Sequence, residues 1–195
     1  MKHSQKKRLI KKHPEKPSIL TKVKAEWLQK RPVLFFVLGF AVLMILFYSL
    51  WLSDFFKQQV TPLINGFNAK IASFILNIFG QGTQPDGFII ASQKFSISIA
   101  MGCDAVEAMA LFAFAVIAFP GKLTQKLIGV FSGVFILYLF NQVRIVSLFL
   151  VGIYYPKAFE LMHVEVWQVL FIIFAIGLWI FWIKWTRGTK KSDVK

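Results

Sequence analysis

Three side chains of this 195-residue chain could do chemistry together: Cys103, Arg144 and His163. A thiol becomes a useful nucleophile at neutral pH when a base or a cation stands beside it, and histidine is the usual partner. Attack on a carbonyl creates an oxyanion that needs fixed donors, which an arginine fork can supply. The set is chemically sufficient for acyl transfer through sulfur. Cys103 is the only cysteine, which excludes an internal disulfide. One cysteine and three histidines, two of them (His3 and His13) in a basic N-terminal tail, cannot build a metal site. No metal and no cofactor is expected.

The elements that must position these residues are membrane helices. The chain is 56% hydrophobic, contains 22 phenylalanines and carries a formal charge of +14. Composition of this kind places it in the membrane class. A spanning helix needs about 20 apolar residues, and four stretches qualify: 33–52, 100–119, 127–153 and 164–183. The second contains Asp104 and Glu107, the third Asn141, Gln142 and Arg144, and the fourth Glu165. The expected fold class is an all-α polytopic membrane protein: four transmembrane helices, an interfacial amphipathic helix and a short periplasmic β-hairpin.

Lysine and arginine favour the cytoplasmic side of a membrane. Eleven of them lie in the first 31 residues, two in 120–126 and five from Lys184 onward, against three in 54–99 and one in 154–162. Both termini are therefore expected in the cytoplasm, with 53–99 periplasmic. The implied organisation is a basic cytoplasmic tail (1–32), a transmembrane domain (33–185) and a second cytoplasmic tail (186–195). Pro14, Pro17 and Pro32 should break any long helix in the first tail. That tail reads as a solvated segment near anionic lipid, worth about 1 kcal/mol per basic residue close to the surface. Nucleic-acid binding has no support from aromatic interleaving or a binding module. The first span, with a long charged leader and no small-residue cleavage site, reads as an uncleaved anchor.

Between the first two spans, Val60, Leu63, Ile64, Phe67, Ile71, Phe74, Ile75 and Ile78 recur at spacings of three and four, with Asn65, Asn68, Lys70, Ser73 and Asn77 opposite. This predicts an amphipathic helix, opened by Thr61-Pro62 and closed by Gly80. Its polar stripe argues that it lies in the interface rather than crossing. Gln81 to Gly87 is turn-rich. Phe88–Ile90 and the alternation of Phe95, Ile97 and Ile99 with Ser96 and Ser98 predict a two-stranded hairpin resting on the outer surface. Tyr48, Trp51, Tyr154, Tyr155, Trp167, Trp179, Trp182 and Trp185 read as interface belts.

On this topology the three residues of interest reach one leaflet from consecutive helices. Cys103 sits where strand gives way to span, beside Gly102 and at a helix N-terminus that favours a thiolate, although Asp104 opposes it. Arg144 lies about 27 Å along the third span at 1.5 Å per residue, with Asn141 and Ser147 three residues to either side on the same face. An arginine centred in a span costs roughly 2.5–3.5 kcal/mol on insertion scales, so it faces protein or water. His163 opens the fourth span. Glu107 and Glu165 are supporting candidates that could orient Arg144 or His163, and Asn141 is a third.

At these residues the chain resembles the exosortase/archaeosortase family of membrane transpeptidases. The matching features are Gly102-Cys103, the segment Asn141-Gln142-Val143-Arg144-Ile145, and His163, in that order, over about Trp51 to Trp182. Most members continue the cysteine motif as Cys-Ser-Gly, whereas here it reads Cys103-Asp104-Ala105 followed by Val106-Glu107, which looks like exosortase H. The resemblance implies a cysteine protease/transpeptidase of the bacterial inner membrane with its site at the periplasmic face. Its partners would be exported proteins with a C-terminal sorting signal: a short motif, a hydrophobic helix and a basic end. For exosortase H the motif is of the IPTL type, the commoner one being the PEP type. Cys103 would form a thioester, with Arg144 and His163 completing the site in roles that sequence leaves interchangeable. The acceptor of the cleaved protein is left open. The reading from another class is a non-catalytic membrane assembly or transport component with a buried arginine.

Overall fold

Apolar stretches too long for a small soluble core form helices here, and the computed structural model describes them from Ile19 to Ser192. Helix α1 runs Ile19–Trp51, and α2 runs Thr61–Ile78 after a π-helical turn at Phe56–Val60. Strands β1 (Gln84–Asp86), β2 (Ile89–Ala91) and β3 (Ser96–Ser98) follow, then α3 (Val106–Ala118) and α4 (Leu123–Tyr154). A 3-10 turn at Pro156–Ala158 and a π-helical turn at Leu161–Val166 lead into α5 (Trp167–Ser192). Among the described residues three helices are long and apolar enough to cross a membrane: Lys30–Trp51, Leu123–Tyr154 and Leu161–Gly188.

The fourth expected span, 100–119, is shorter than anticipated. Only the 13 residues of α3 are helical, about 20 Å at 1.5 Å per residue, against about 30 Å of hydrocarbon. The segment ahead of it is turned instead. Gly102 takes φ 90° and Ala105 φ 62°, and the Val106 N–H donates to Asp104 Oδ1 at 3.1 Å. A left-handed alanine and a side chain that satisfies the first helical N–H are how a chain stops being extended and starts a helix late.

Two further expectations change. Pro32 lies inside α1 and does not end it; a spanning helix can absorb a proline that a soluble helix would not. Pro14 and Pro17 lie outside the described residues, as does the rest of the basic tail before Ile19. At the other end α5 continues through the expected tail as far as Ser192.

Short α3 is the centre of the bundle, packed by α1, α4 and α5. Glycines on α4 make the approach possible. A Cβ at Gly133 would sit 2.0 Å from Phe112 Cε1, and one at Gly129 would sit 2.2 Å from Trp182 Nε1. The Trp182 indole N–H donates to Gln125 O at 3.1 Å. Phe36, Phe119 and Trp179 close this end by edge and stacking contacts near 6.1 Å. The basic residues Lys122 and Lys126 belong to the same end, the far one from Cys103.

Helix α2 has the predicted length, and much of its polar stripe packs against the protein. The middle of its polar stripe is buried, while Lys70 and Asn77 stay exposed: Asn65, Asn68 and Ser73 join Ala69, Ala72 and Leu76 against Ile145 and Phe149 of α4 and against Ile90 and Ile99. Gln142 donates to Asn68 Oδ1 at 2.8 Å and Asn65 donates to Ile99 O at 2.9 Å. Ser73 and Thr83 share a hydrogen bond of 2.8 Å. Leu63, Phe67, Phe74 and Ile78 face outward. Buried polar groups need hydrogen-bond partners, and the α2 stripe finds them in Gln142, Ile99 and Thr83.

The hairpin is a three-stranded antiparallel sheet in the order β1-β2-β3. The added strand is Gln84–Asp86 from the turn-rich segment, with Pro85 opposite Ile90 on an edge, where a missing N–H is tolerated. Ile90 pairs Ile97 on the other side. Phe95 anchors the sheet by filling the space over Gly152 of α4, 2.3 Å from where a Cβ would be.

Candidate active site

The late start of α3 leaves Cys103 in a turn rather than on a helix, with its N–H bonded to Ala100 O at 3.0 Å. The π-helical turn Leu161–Val166 presents His163, whose Nε2 lies 3.2 Å from Cys103 Sγ. One widened turn re-aims a side chain without breaking the helix, and such turns gather at functional positions. Phe159 backs the imidazole, ring centroids 5.6 Å apart. From α4, Arg144 Nη2 donates toward Sγ at 3.8 Å. Arg144 is 9% exposed, so its charge acts on the sulfur through little solvent. The three side chains named from sequence therefore meet at one point.

Three main influences act on the thiol, which lies in the turn ahead of α3. Burial pushes it above its ordinary value, Arg144 pulls it down, and Asp104 pushes it up again; the balance is upward. Burial likewise raises the Asp104 carboxyl.

The supporting candidates are placed differently. Glu107 is not paired with Arg144 or His163; its carboxylate accepts the hydroxyl of Tyr48 from α1. Glu165 is exposed on the π-helical turn, away from the cavity that holds the sulfur. Asn141 is fully buried on α4, and neither of its amide atoms has a partner among the described residues. Ser147 turns back to its own helix, donating to Arg144 O at 2.9 Å. Tyr48 was legible only as a belt aromatic, since its partner is 59 residues away.

Two cavities adjoin the site. One of about 340 Å³ is lined by Cys103, Arg144 and His163 together with β3 and Phe159. The other, about 730 Å³, lies between α1, α3 and α5 and also reaches Arg144. The arrangement suits covalent chemistry at sulfur next to an apolar channel. A match to the transmembrane exosortase family model extends over residues 27–183. The chain belongs to that family. Comparison with the curated proteins and with the solved structures gives no match. Exosortases are cysteine-type transpeptidases that act on exported proteins carrying C-terminal sorting signals. This member is a multi-pass membrane protein.

Proposed function

We propose that this exosortase is an active cysteine transpeptidase, with Cys103 as nucleophile, His163 as general base and then acid, and Arg144 as oxyanion donor. The observation that carries the reading is the 3.2 Å separation of Sγ and Nε2 with a guanidinium at 3.8 Å on the same sulfur. The shorter contact favours histidine as the proton carrier. His163 takes the thiol proton as sulfur bonds to the carbonyl carbon. Arg144 stabilises the oxygen anion. The C–N bond then breaks, His163 gives its proton to the leaving amine, and a thioester remains. An amine acceptor or water attacks the thioester, passes a proton to His163 and returns the free thiol.

The substrate is an exported protein whose sorting signal is of the IPTL type, as in exosortase H, or of the PEP type. The surrounding membrane is the bacterial inner membrane, with the site periplasmic and the termini cytoplasmic. Supporting that orientation, Lys122, Lys126, Lys184 and Arg187 belong to the end of the bundle away from Cys103, as the cytoplasmic bias of basic residues requires. Co-expression with exported reporters ending in each type of signal provides the test. Tail release by the wild type, its loss in Cys103→Ala, and a reporter–Cys103 thioester trapped by mass spectrometry are expected. Release that persists in Cys103→Ala, or no release of either reporter, would sink the reading.

A further inference from the structure

Strand β3 ends the sheet, so one side of its backbone has no neighbour. Which side follows from its bonds. Ser92 N–H donates to Phe95 O and Ile99 N–H to Phe88 O, both at 2.9 Å. In an antiparallel ladder the residues that bond across alternate with those that do not. Phe95, Ile97 and Ile99 thus bond toward β2, and the N–H and C=O groups of Ser96 and Ser98 point to the open edge. That edge is a wall of the cavity holding Cys103, Arg144 and His163. An open strand edge pairs readily with an extended peptide. Four residues past Ile99 the same chain delivers the sulfur.

The larger cavity continues from the same point in the other direction. Its mouth is Arg144, Glu107 and Gln168, and it runs down to Phe36 and Trp179, which stack at 6.1 Å and close it. From Gln168 to Trp179 is about 16 Å of helix at 1.5 Å per residue. Its floor carries small residues, Ala108 and Ala115 on α3 with Ala175 on α5, the side chains that let another helix approach closely within a membrane. Exposed Leu111, Ile172 and Ile176 line it, so it opens sideways between α1 and α5. Arg144 alone among the three site residues lines both cavities.

We infer that the two cavities form one substrate track: residues before the scissile bond pair as an extended strand with the open edge of β3, and the apolar helix after it seats in the α1/α3/α5 groove. The inference rests on the transpeptidase reading and adds where, and in what conformation, the polypeptide is held. The substrate runs parallel to β3 toward Cys103, then down the groove toward Phe36 and Trp179. The carbonyl to be attacked falls at the joint, where Arg144 stands. Main-chain pairing grips any sequence, so discrimination falls to side-chain pockets beside Phe159 and Leu148 and to the fit of the helix.

The test uses the full-length enzyme in membranes with whichever reporter the wild type processes. Ser98→Pro removes an edge-facing N–H while sparing the bonds of Ile97 and Ile99 to β2. Ala115→Phe fills the groove floor. Each is expected to lower tail release by about tenfold or more, while iodoacetamide alkylates Cys103 at close to the wild-type rate, showing an intact site. Release that depends on Cys103 yet survives both changes overturns the track and leaves the transpeptidase reading standing. Should either variant lose alkylation through misfolding, a photoreactive benzoylphenylalanine at Ile176 in Cys103→Ala decides the matter. Cross-links to the reporter's apolar tail support the track, and cross-links to lipid alone overturn it.

Discussion

The two ends of the bundle are built on opposite rules. At the closed end, Phe112 and Trp182 fill spaces that only Gly133 and Gly129 leave, and Phe36, Phe119 and Trp179 pack around them. At the other end the backbone is irregular: Gly102 and Ala105 have positive φ, and His163 rides a π-helical turn. Buried polar atoms of Asp104, Asn141 and Arg144 lack partners there among the described residues. One end is dominated by close aromatic packing, although the Trp179 indole N–H has no partner there among the described residues. The other is dominated by irregular backbone with several buried polar atoms around the thiol, the pattern expected where structure is subordinated to chemistry. Stability and reactivity should therefore be separable by mutation.

The largest expected effect tests that separation from the reactive side. His163→Ala should cut tail release by about 10²–10⁴-fold, the usual worth of a positioned proton carrier, with thermal unfolding in detergent shifted little because His163 is only half-buried. A large fall in the melting temperature would show that the imidazole holds the fold instead. From the packing side, Gly133→Ala should cost about 1–3 kcal/mol through overpacking against Phe112. It should leave the alkylation rate of Cys103 in the folded fraction unchanged. Asn68→Ala, which strands the buried Gln142 amide, should cost about 1–2 kcal/mol. An unaltered unfolding midpoint would mean that the α2–α4 seam contributes nothing.

What sequence reveals follows from the same division. Cys103, Arg144 and His163 stand out because a membrane makes every polar residue conspicuous against its run, and the structure does bring the three together. The chain passing Gly102 to Ala105 looked helical because Ala100–Phe119 is apolar enough; the break comes from backbone dihedrals, which hydropathy does not register. The phase of α2 was readable but its direction was not. The same stripe of Asn65, Asn68 and Ser73 fits water on one side or a protein seam on the other, and only Gln142 across the interface decides. Gln84–Asp86 contains Pro85 and reads as a turn until β2 is there to pair with it. The Tyr48–Glu107 bond joins elements with no sequence relation. Long-range pairing accounts for most of what was missed.

The finest test asks whether the charges around the sulfur act as the geometry implies. The thiolate is the form that reacts, so the alkylation rate of Cys103 rises with pH through the thiol's own pKa. Arg144 favours the anion and Asp104 disfavours it. Arg144→Gln should then move the rate–pH profile to higher pH. Asp104→Asn should move it to lower pH, and the asparagine oxygen can still accept the Val106 N–H that now bonds Oδ1 at 3.1 Å. The second shift should be the smaller, because Asp104 acts more weakly on the thiol than Arg144 does. Two shifts of the same sign would mean that altered access, not charge, governs the rate. Opposite shifts would tie the reactivity of this end to the electrostatics of two named neighbours.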